Sequence, residues 1–252
     1  MKITSLTNEK VKFWNSLNLP SQRVKNKKYI VDGDHLVIEA FKLNCLDTLI
    51  YNDFLPKELE SFSNKYQVTN EIMKKISNVS NFKNIIGVCN YTKGSLQNID
   101  SYIALDDVQD PGNGGTILRS ALAFGFKGML ISLNSFDQYN TKFIRATMGA
   151  FFNLPVLKVD LYESLIKLKN DGYKIISADL NNDSINIEEL PFLDKFVVVV
   201  GSEGNGVSQN IIGISDYILK INMNSKVESL NVGVAASIIM HHIFEGKLLK
   251  NE

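Results

Sequence analysis

The stretch "YIALDDVQDPGNGGTILRSALAFGFKGMLISL", residues 102–133, decides the fold. It opens with "YIALDDV", a continuous apolar run that ends in carboxylates and reads as a strand buried on both faces. The chain turns through "DPGNGG" and enters "NGGTILRSALAFGF", apolar at helical spacing, with Asn113 able to cap the helix. "GMLISL" follows as a second buried strand. Strand, helix and strand in this order argue for a parallel sheet with helices on both faces.

The alternation runs on to the C-terminus. "NTKFIRATMGAFF" and "LYESLIKLKNDG" read as helices, then "YKIISADL", "FVVVVGSEG" and "DYILKINM" as strands, and "LNVGVAASIIMHHIFEG" as a long closing helix. Upstream, the elements are shorter and mixed. "TNEKVKFWNSLN" reads as a helix capped by Thr7, with Val11, Trp14 and Leu17 along one side. The strand "KYIVDG", the helix "DHLVIEAFKL" and the strand "DTLIYND" follow, and the alternation continues to "IIGVCN". The pattern lapses into polar turn residues around "YTKGSLQNID". The expected organisation is a small mixed α/β domain over 1–92, a linker at 93–99, and an α/β domain with a parallel sheet over 100–252.

Composition is that of an ordinary globular protein, 44% hydrophobic and 21% charged. The apolar runs are too short to cross a bilayer, the N-terminus has no signal-peptide pattern, and Cys45 and Cys89 have no metal-ligand spacing. A reduced, cytoplasmic protein with no metal and no membrane partner is expected. The 27 basic and 27 acidic residues cancel, but unevenly. Residues 1–30 carry seven basic groups against Glu9 alone. A basic head on a mildly acidic body fits either a solvated lysine-rich face or contact with an anionic partner, nucleic acid first.

Three segments leave a strand for a loop or helix: "LDDVQDPGNGGTILR", "VVVVGSEGNGVS" and "INMNSKVESLNVGVAAS". In open α/β sheets such strand ends gather at one ligand site. No phosphate-cradling Gly-Lys-Ser/Thr occurs, and the one charge of "GSEGNG" is Glu203, which would repel a pyrophosphate. Close backbone approach without a cation suits an uncharged or cationic small ligand, such as a nucleoside bearing a sulfonium.

"DPGNGGTILRSALAFG", "FVVVVGSEGNGVS" and "MNSKVESLNVGVAASIIMHHIFEG" resemble, in order and spacing, the three motifs of the SpoU/TrmH family of RNA ribose 2′-O-methyltransferases in the SPOUT superfamily. "YNTKFIRATMGAFFNLPV" is similar to a further family segment, and residues 7–40 resemble the family's L30e-like substrate-binding domain. The resemblance implies a C-terminal trefoil knot, S-adenosylmethionine as cofactor, a homodimer and an RNA substrate, large-subunit ribosomal RNA first and transfer RNA second.

The resemblance carries roles onto particular residues. Arg119 matches the catalytic arginine and Asn113 the motif's asparagine. Arginine offers a planar fork for phosphate or ribose that lysine cannot copy, and this chain keeps only three arginines. Glu203 matches the second motif's glutamate, either to bond the target nucleotide or to hold Asn113 and Arg119. Ser229 and Asn231 match the third motif; Ser229 is also a good helix cap and Asn231 a polar first-turn residue. Gly201, Ile221 and Leu230 match positions lining the adenosine pocket, with Val200 and Met223 beside them. Arg23, with Lys25, Lys27 and Lys28, is expected to touch RNA backbone, and Arg145 to face RNA or serve structure. Gly114 and Gly233 stand where larger residues are common, which would loosen both helix starts.

Two other readings compete. A non-catalytic RNA-binding or assembly protein would have no need for all of Asn113, Arg119, Glu203, Ser229 and Asn231. A nicotinamide-dependent oxidoreductase fails for want of the dinucleotide fingerprint and of an acidic residue placed for a ribose.

Overall fold

The computed structural model describes residues 2–77, 84–92, 95, 99–180 and 183–248. Of the linker expected at 93–99, residues 93, 94 and 96–98 lie outside these. The chain divides into two compact units, Met1–Lys93 with Tyr139–Phe152, and Gly94–Gln138 with Asn153–Glu252.

The first unit runs β1 (Lys2–Ile3), α1 (Glu9–Ser16), α2 (Pro20–Asn26), β2 (Lys28–Asp32), α3 (Asp34–Lys42), β3 (Leu46–Tyr51), β4 (Lys65–Val68), α4 (Asn70–Ser77) and β5 (Ile85–Asn90). Its mixed sheet has the order β1-β4-β3-β5-β2, with β1, β4 and β3 parallel and β5 antiparallel to both β3 and β2. Val11, Trp14 and Leu17 line one side of the first helix, as their spacing predicts, and pack with Ile72, Met73 and Ile76 of α4 over Ile50, Ile86 and Val88. The cap of α1 is Asn8 and not Thr7: its side chain accepts from the Lys10 N–H at 2.9 Å. The polar helix α2 carries no apolar stripe to announce it, and its one sequence signal is Pro20 at its first position.

Arg23 corrects an expectation. It is 3% exposed, and its Nη1 donates to the carbonyls of Leu17 and Asn18, both at 2.9 Å. A guanidinium turned inward to satisfy the end of α1 is a helix-terminating device, not an open fork for RNA.

The second unit is built on β6 (Ser101–Leu105), α5 (Pro111–Ala123) and β7 (Gly128–Ser132), the elements read from 102–133. The chain then forms α6 (Thr141–Ala146), which belongs to the first unit, before β8 (Val156–Val159), α7 (Leu161–Asn170), β9 (Lys174–Ala178), β10 (Ile185–Asn186), β11 (Phe196–Val200), α8 (Gln209–Ile212), β12 (Tyr217–Lys220) and α9 (Val232–Leu248). The described strands of this unit form one sheet of order β10-β12-β9-β11-β6-β7-β8, parallel at every pairing. Tyr102, Ala104, Leu130, Ile175, Val197 and Val199 meet Leu161, Leu165 and Leu168 of α7 on one face. Strand residues pointing the other way, among them Ile103, Ile131, Ile176 and Val198, are fully buried as well. Both faces are therefore covered, which is why these strands read as unbroken apolar runs.

The segment read as one helix over 140–152 is two pieces. After Ala146, Met148 (φ 50°) and Gly149 (φ 94°) break the α-helix, and a single 3₁₀ turn spans Ala150–Phe152. Tyr139 stacks on Tyr91 with ring centroids 3.7 Å apart, and Phe151 meets Tyr29 edge-on.

Candidate active site

Helix α5 begins two residues earlier than Asn113. Asp110 is its cap, accepting from the Gly112 N–H at 2.6 Å, and Pro111 takes the first position, where a missing N–H costs nothing. Asn113 is thus inside the first turn, with its amide free to look outward. Its Nδ2 donates to Glu203 Oε1, in the loop after β11. Its Oδ1 accepts from Asn231 Nδ2 at 3.1 Å. Asn231, not Ser229, caps α9: its Oδ1 accepts from the Gly233 and Val234 N–H groups at 2.9 and 3.3 Å.

The polarity of this chain is forced. Two backbone donors claim the Asn231 oxygen, so its nitrogen must face Asn113; Asn113 then presents its own nitrogen to the only partner that can do nothing but accept, a carboxylate. Glu203, Asn113 and Asn231 join the loop after β11, the start of α5 and the start of α9 in one line of hydrogen bonds. Of the two roles open to Glu203, the structure shows it holding Asn113.

Arg119 lies two turns into α5, exposed, with no hydrogen bond or ion pair among the described residues. Glu203 does not hold it. The α5–α9 packing beside it is tight: Ser120 and Ser237 hydroxyls meet at 2.8 Å, and a Cβ on Gly233 would stand 3.4 Å from Thr116 Cγ2. Gly114 is not slack either. A Cβ there would lie 2.2 Å from the ring of Phe136, which fills the space. The expectation of a loose helix start is overturned at Gly114; at Gly233 a Cβ would meet Thr116 at ordinary van der Waals distance and Asn231 Oδ1 at 3.1 Å.

A cavity of about 320 Å³ opens at the carboxyl ends of β9, β11 and β12, within the range of small-molecule sites. Val200, Gly201, Ile221, Met223 and Leu230 all line it, with Ser229 and Glu203 beside them. The loop after Val200 folds hard on itself. Ser202 and Gly206 exchange N–H···O bonds at 3.1 and 3.0 Å, and a Cβ on Gly201 would come within 1.9 Å of the Gly206 carbonyl. Only glycine fits at 201. The Asp106 carboxylate, at the end of β6, accepts from the Ser208 N–H at 2.7 Å and pins the far end of that loop. Among the described residues, three charged side chains line the cavity, Asp179, Glu203 and Lys220, and no arginine does. Two carboxylates against one ammonium suit a nucleoside of neutral or positive net charge better than a polyphosphate.

Asp179 escaped the sequence reading. It stands one residue past β9, in a strand end that carries no glycine loop to draw attention. Asp179 lines the cavity as a second carboxylate beside Glu203.

Of the residues expected at RNA, Lys25, Lys27 and Arg145 are exposed on the first unit. Lys27 Nζ lies 5.8 Å from the centre of the Tyr91 ring. Lys28 is half-buried and pairs with Asp47 at 2.6 Å, so its charge is already answered within the fold. Among the described residues, no cluster of histidine, cysteine or acidic side chains has metal-site geometry, and no helix is long and apolar enough to cross a membrane.

The family model described as the SpoU rRNA Methylase family matches residues 100–241, and that of the MRM3-like substrate binding domain matches residues 8–87. The chain is 31% identical over 245 residues to the 23S rRNA (guanosine(2553)-2'-O)-methyltransferase RlmP of Bacillus subtilis, covering 96% of this chain and 98% of that one. Among solved structures, an AdoMet-bound rRNA methyltransferase from Sinorhizobium meliloti superposes with a TM-score of 0.89 at 24% identity, over 98% of each chain. A putative RNA methyltransferase of the TrmH family from Porphyromonas gingivalis gives 0.83 at 26% identity, over 95% of this chain and 98% of that one.

Proposed function

The chain belongs to the SpoU rRNA methylase family, and from that premise we propose that it transfers a methyl group from S-adenosylmethionine to a ribose 2′-hydroxyl of RNA, with large-subunit ribosomal RNA as substrate. One observation carries the reading: the glycine-walled cavity at the strand ends abuts the hydrogen-bonded line Glu203–Asn113–Asn231, because Glu203 belongs to both. Cofactor and nucleotide would meet across that carboxylate.

Val200, Gly201, Ile221, Met223 and Leu230 would hold the adenosine, Gly201 by letting the loop fold back on itself at the cavity wall. Bound there, S-adenosylmethionine supplies an electrophilic methyl on a sulfonium. The protein's own work is to align a hydroxyl with that methyl and to stabilise the oxygen as its proton leaves. Arginine is a poor base, since its pKa lies far above neutrality. Arg119 would instead grip the ribose and its 3′-phosphate and stabilise developing alkoxide charge, the phosphate or a water taking the proton. Glu203 and Asn231 would keep Asn113 in one orientation, and Ser229 offers a hydroxyl at the cavity wall.

We further propose RNA contact through Lys25, Lys27 and Arg145, action in the cytoplasm where ribosomal RNA is modified, and a homodimer. Exposed Leu122 of α5 and exposed Val234 and Ile238 of α9, apolar side chains on two helices packed side by side, support the last. Calorimetric titration with S-adenosylhomocysteine tests the cofactor assignment without any RNA. Saturable binding near one site per chain is expected. A folded protein that takes up no ligand would instead favour the non-catalytic RNA-binding reading.

A further inference from the structure

Asp179 occupies a position with a chemical meaning that its neighbours do not share. Strands β9 and β11 are adjacent and parallel, with Ala178 paired to Val200. Asp179 therefore comes level with Gly201, the residue that opens the glycine loop. Its backbone N–H donates to Leu219 O at 3.1 Å, which extends the pairing with β12 by one residue and holds the side chain's root. The carboxylate reaches the folded-back loop: Oδ2 lies 3.0 Å from the point where a Cβ on Gly206 would stand. It lines the cavity and has no hydrogen bond or ion pair among the described residues. Of the two carboxylates in the lining, Glu203 is committed to Asn113, and Asp179 is uncommitted.

A carboxylate accepts and never donates, so the ligand must turn donors toward it. In dinucleotide-binding sheets, an acidic residue that follows the glycine loop accepts from a ribose hydroxyl of the bound nucleotide. The present chain reaches a comparable juxtaposition by a different loop and a different strand order. Resting on the cofactor reading above, we propose that Asp179 is a positioning residue for the cofactor, its carboxylate accepting hydrogen bonds from the vicinal hydroxyls of the adenosine ribose. Lys220, the other unabsorbed charge in the lining, would then be left to the ligand's carboxylate end.

The test uses the full chain and three ligands: S-adenosylmethionine, S-adenosylhomocysteine and 2′-deoxy-S-adenosylhomocysteine. Asp179→Asn keeps shape and one acceptor but loses charge; Asp179→Ala removes both. Each variant should bind S-adenosylmethionine and S-adenosylhomocysteine about tenfold or more weakly, and by the same factor, because the ribose is common to both. The wild type should lose a similar factor on the deoxy ligand, and Asp179→Ala should lose little beyond that already lost. In transfer assays KM for the cofactor should rise while kcat at saturation stays, and thermal unfolding of the unliganded chain should not move. Wild-type affinity in both variants overturns the proposal. So does a selective loss of S-adenosylmethionine, which would mean that Asp179 reads the sulfonium charge. A wild type that binds none of the three ligands would defeat the cofactor reading itself, a separate failure.

Discussion

Arg119 is a costly side chain to leave extended from a helix with nothing to hold it, and in a chain with three arginines its freedom suggests a partner outside the protein. Arg119→Ala should keep S-adenosylhomocysteine affinity and lose about 100-fold or more in kcat, the scale of removing one stabilising donor. Arg119→Lys should not restore it, because a point charge cannot replace the fork; transfer at wild-type rate in either variant would contradict the assignment. Asn231 has two separable jobs. Asn231→Asp keeps an acceptor for the Gly233 and Val234 N–H groups but cannot donate to Asn113. Its melting temperature should hold or rise, as an acid suits a helix N-terminus, while transfer falls by roughly tenfold, the worth of one lost hydrogen bond. Asn231→Ala should lose both, with about 1 kcal/mol of stability gone. The motif residues were legible through the resemblance of their three segments to the family's motifs, each of which is a short local stretch. Which residue caps which helix was not: Thr7 or Asn8, Ser229 or Asn231 differ by a step or two, and only the position of the first helical N–H groups decides. Asp179 was illegible for a different reason, since the partnership of β9 with β11 is a tertiary fact.

At the scale of elements, the start of α5 is held by a ring. Gly114→Ala drives a Cβ to 2.2 Å from Phe136, and overpacking of this kind costs about 1–3 kcal/mol. Combining it with Phe136→Leu should cost less than the two changes summed, because the smaller side chain gives way; denaturant unfolding of all four proteins reads the coupling. Simple additivity would mean that the ring does not set the glycine. Arg23→Ala should act likewise on α1, losing about 1.5–3 kcal/mol of stability through its buried bonds to Leu17 and Asn18, with no change in the salt dependence of RNA binding. The strands of the parallel sheet could be read because burial on both faces leaves long apolar runs. β8 could not: it is a partly exposed edge strand carrying Lys158, whose ammonium donates to the carbonyls of Ser135 and Phe136. β1 and β10, of two residues each, are too short to show a period. The break after Ala146 lies in "TMGA", where Gly149 gave a signal that the apolar spacing on either side outweighed.

For the whole molecule, zero net charge conceals a basic first unit, and only charges that remain free can meet RNA. Lys25, Lys27 and Arg145 changed together to alanine should weaken RNA binding and reduce its salt slope by about two, while leaving S-adenosylhomocysteine binding untouched. The same change made at Arg23 and Lys28, which the fold has already engaged, should leave that slope alone. The central claim, however, concerns the chemistry joined across Glu203. It is tested most directly by incubating the protein with methyl-labelled S-adenosylmethionine and ribosomal RNA from cells lacking this chain, then digesting the RNA with alkali. Methylation of a 2′-hydroxyl removes the nucleophile that cleaves the adjacent phosphodiester. Label should therefore enter large-subunit RNA and survive in an alkali-resistant dinucleotide, and Arg119→Ala should abolish it. Label on a base, released in ordinary mononucleotides, or no label from a protein that binds the cofactor, would contradict the account.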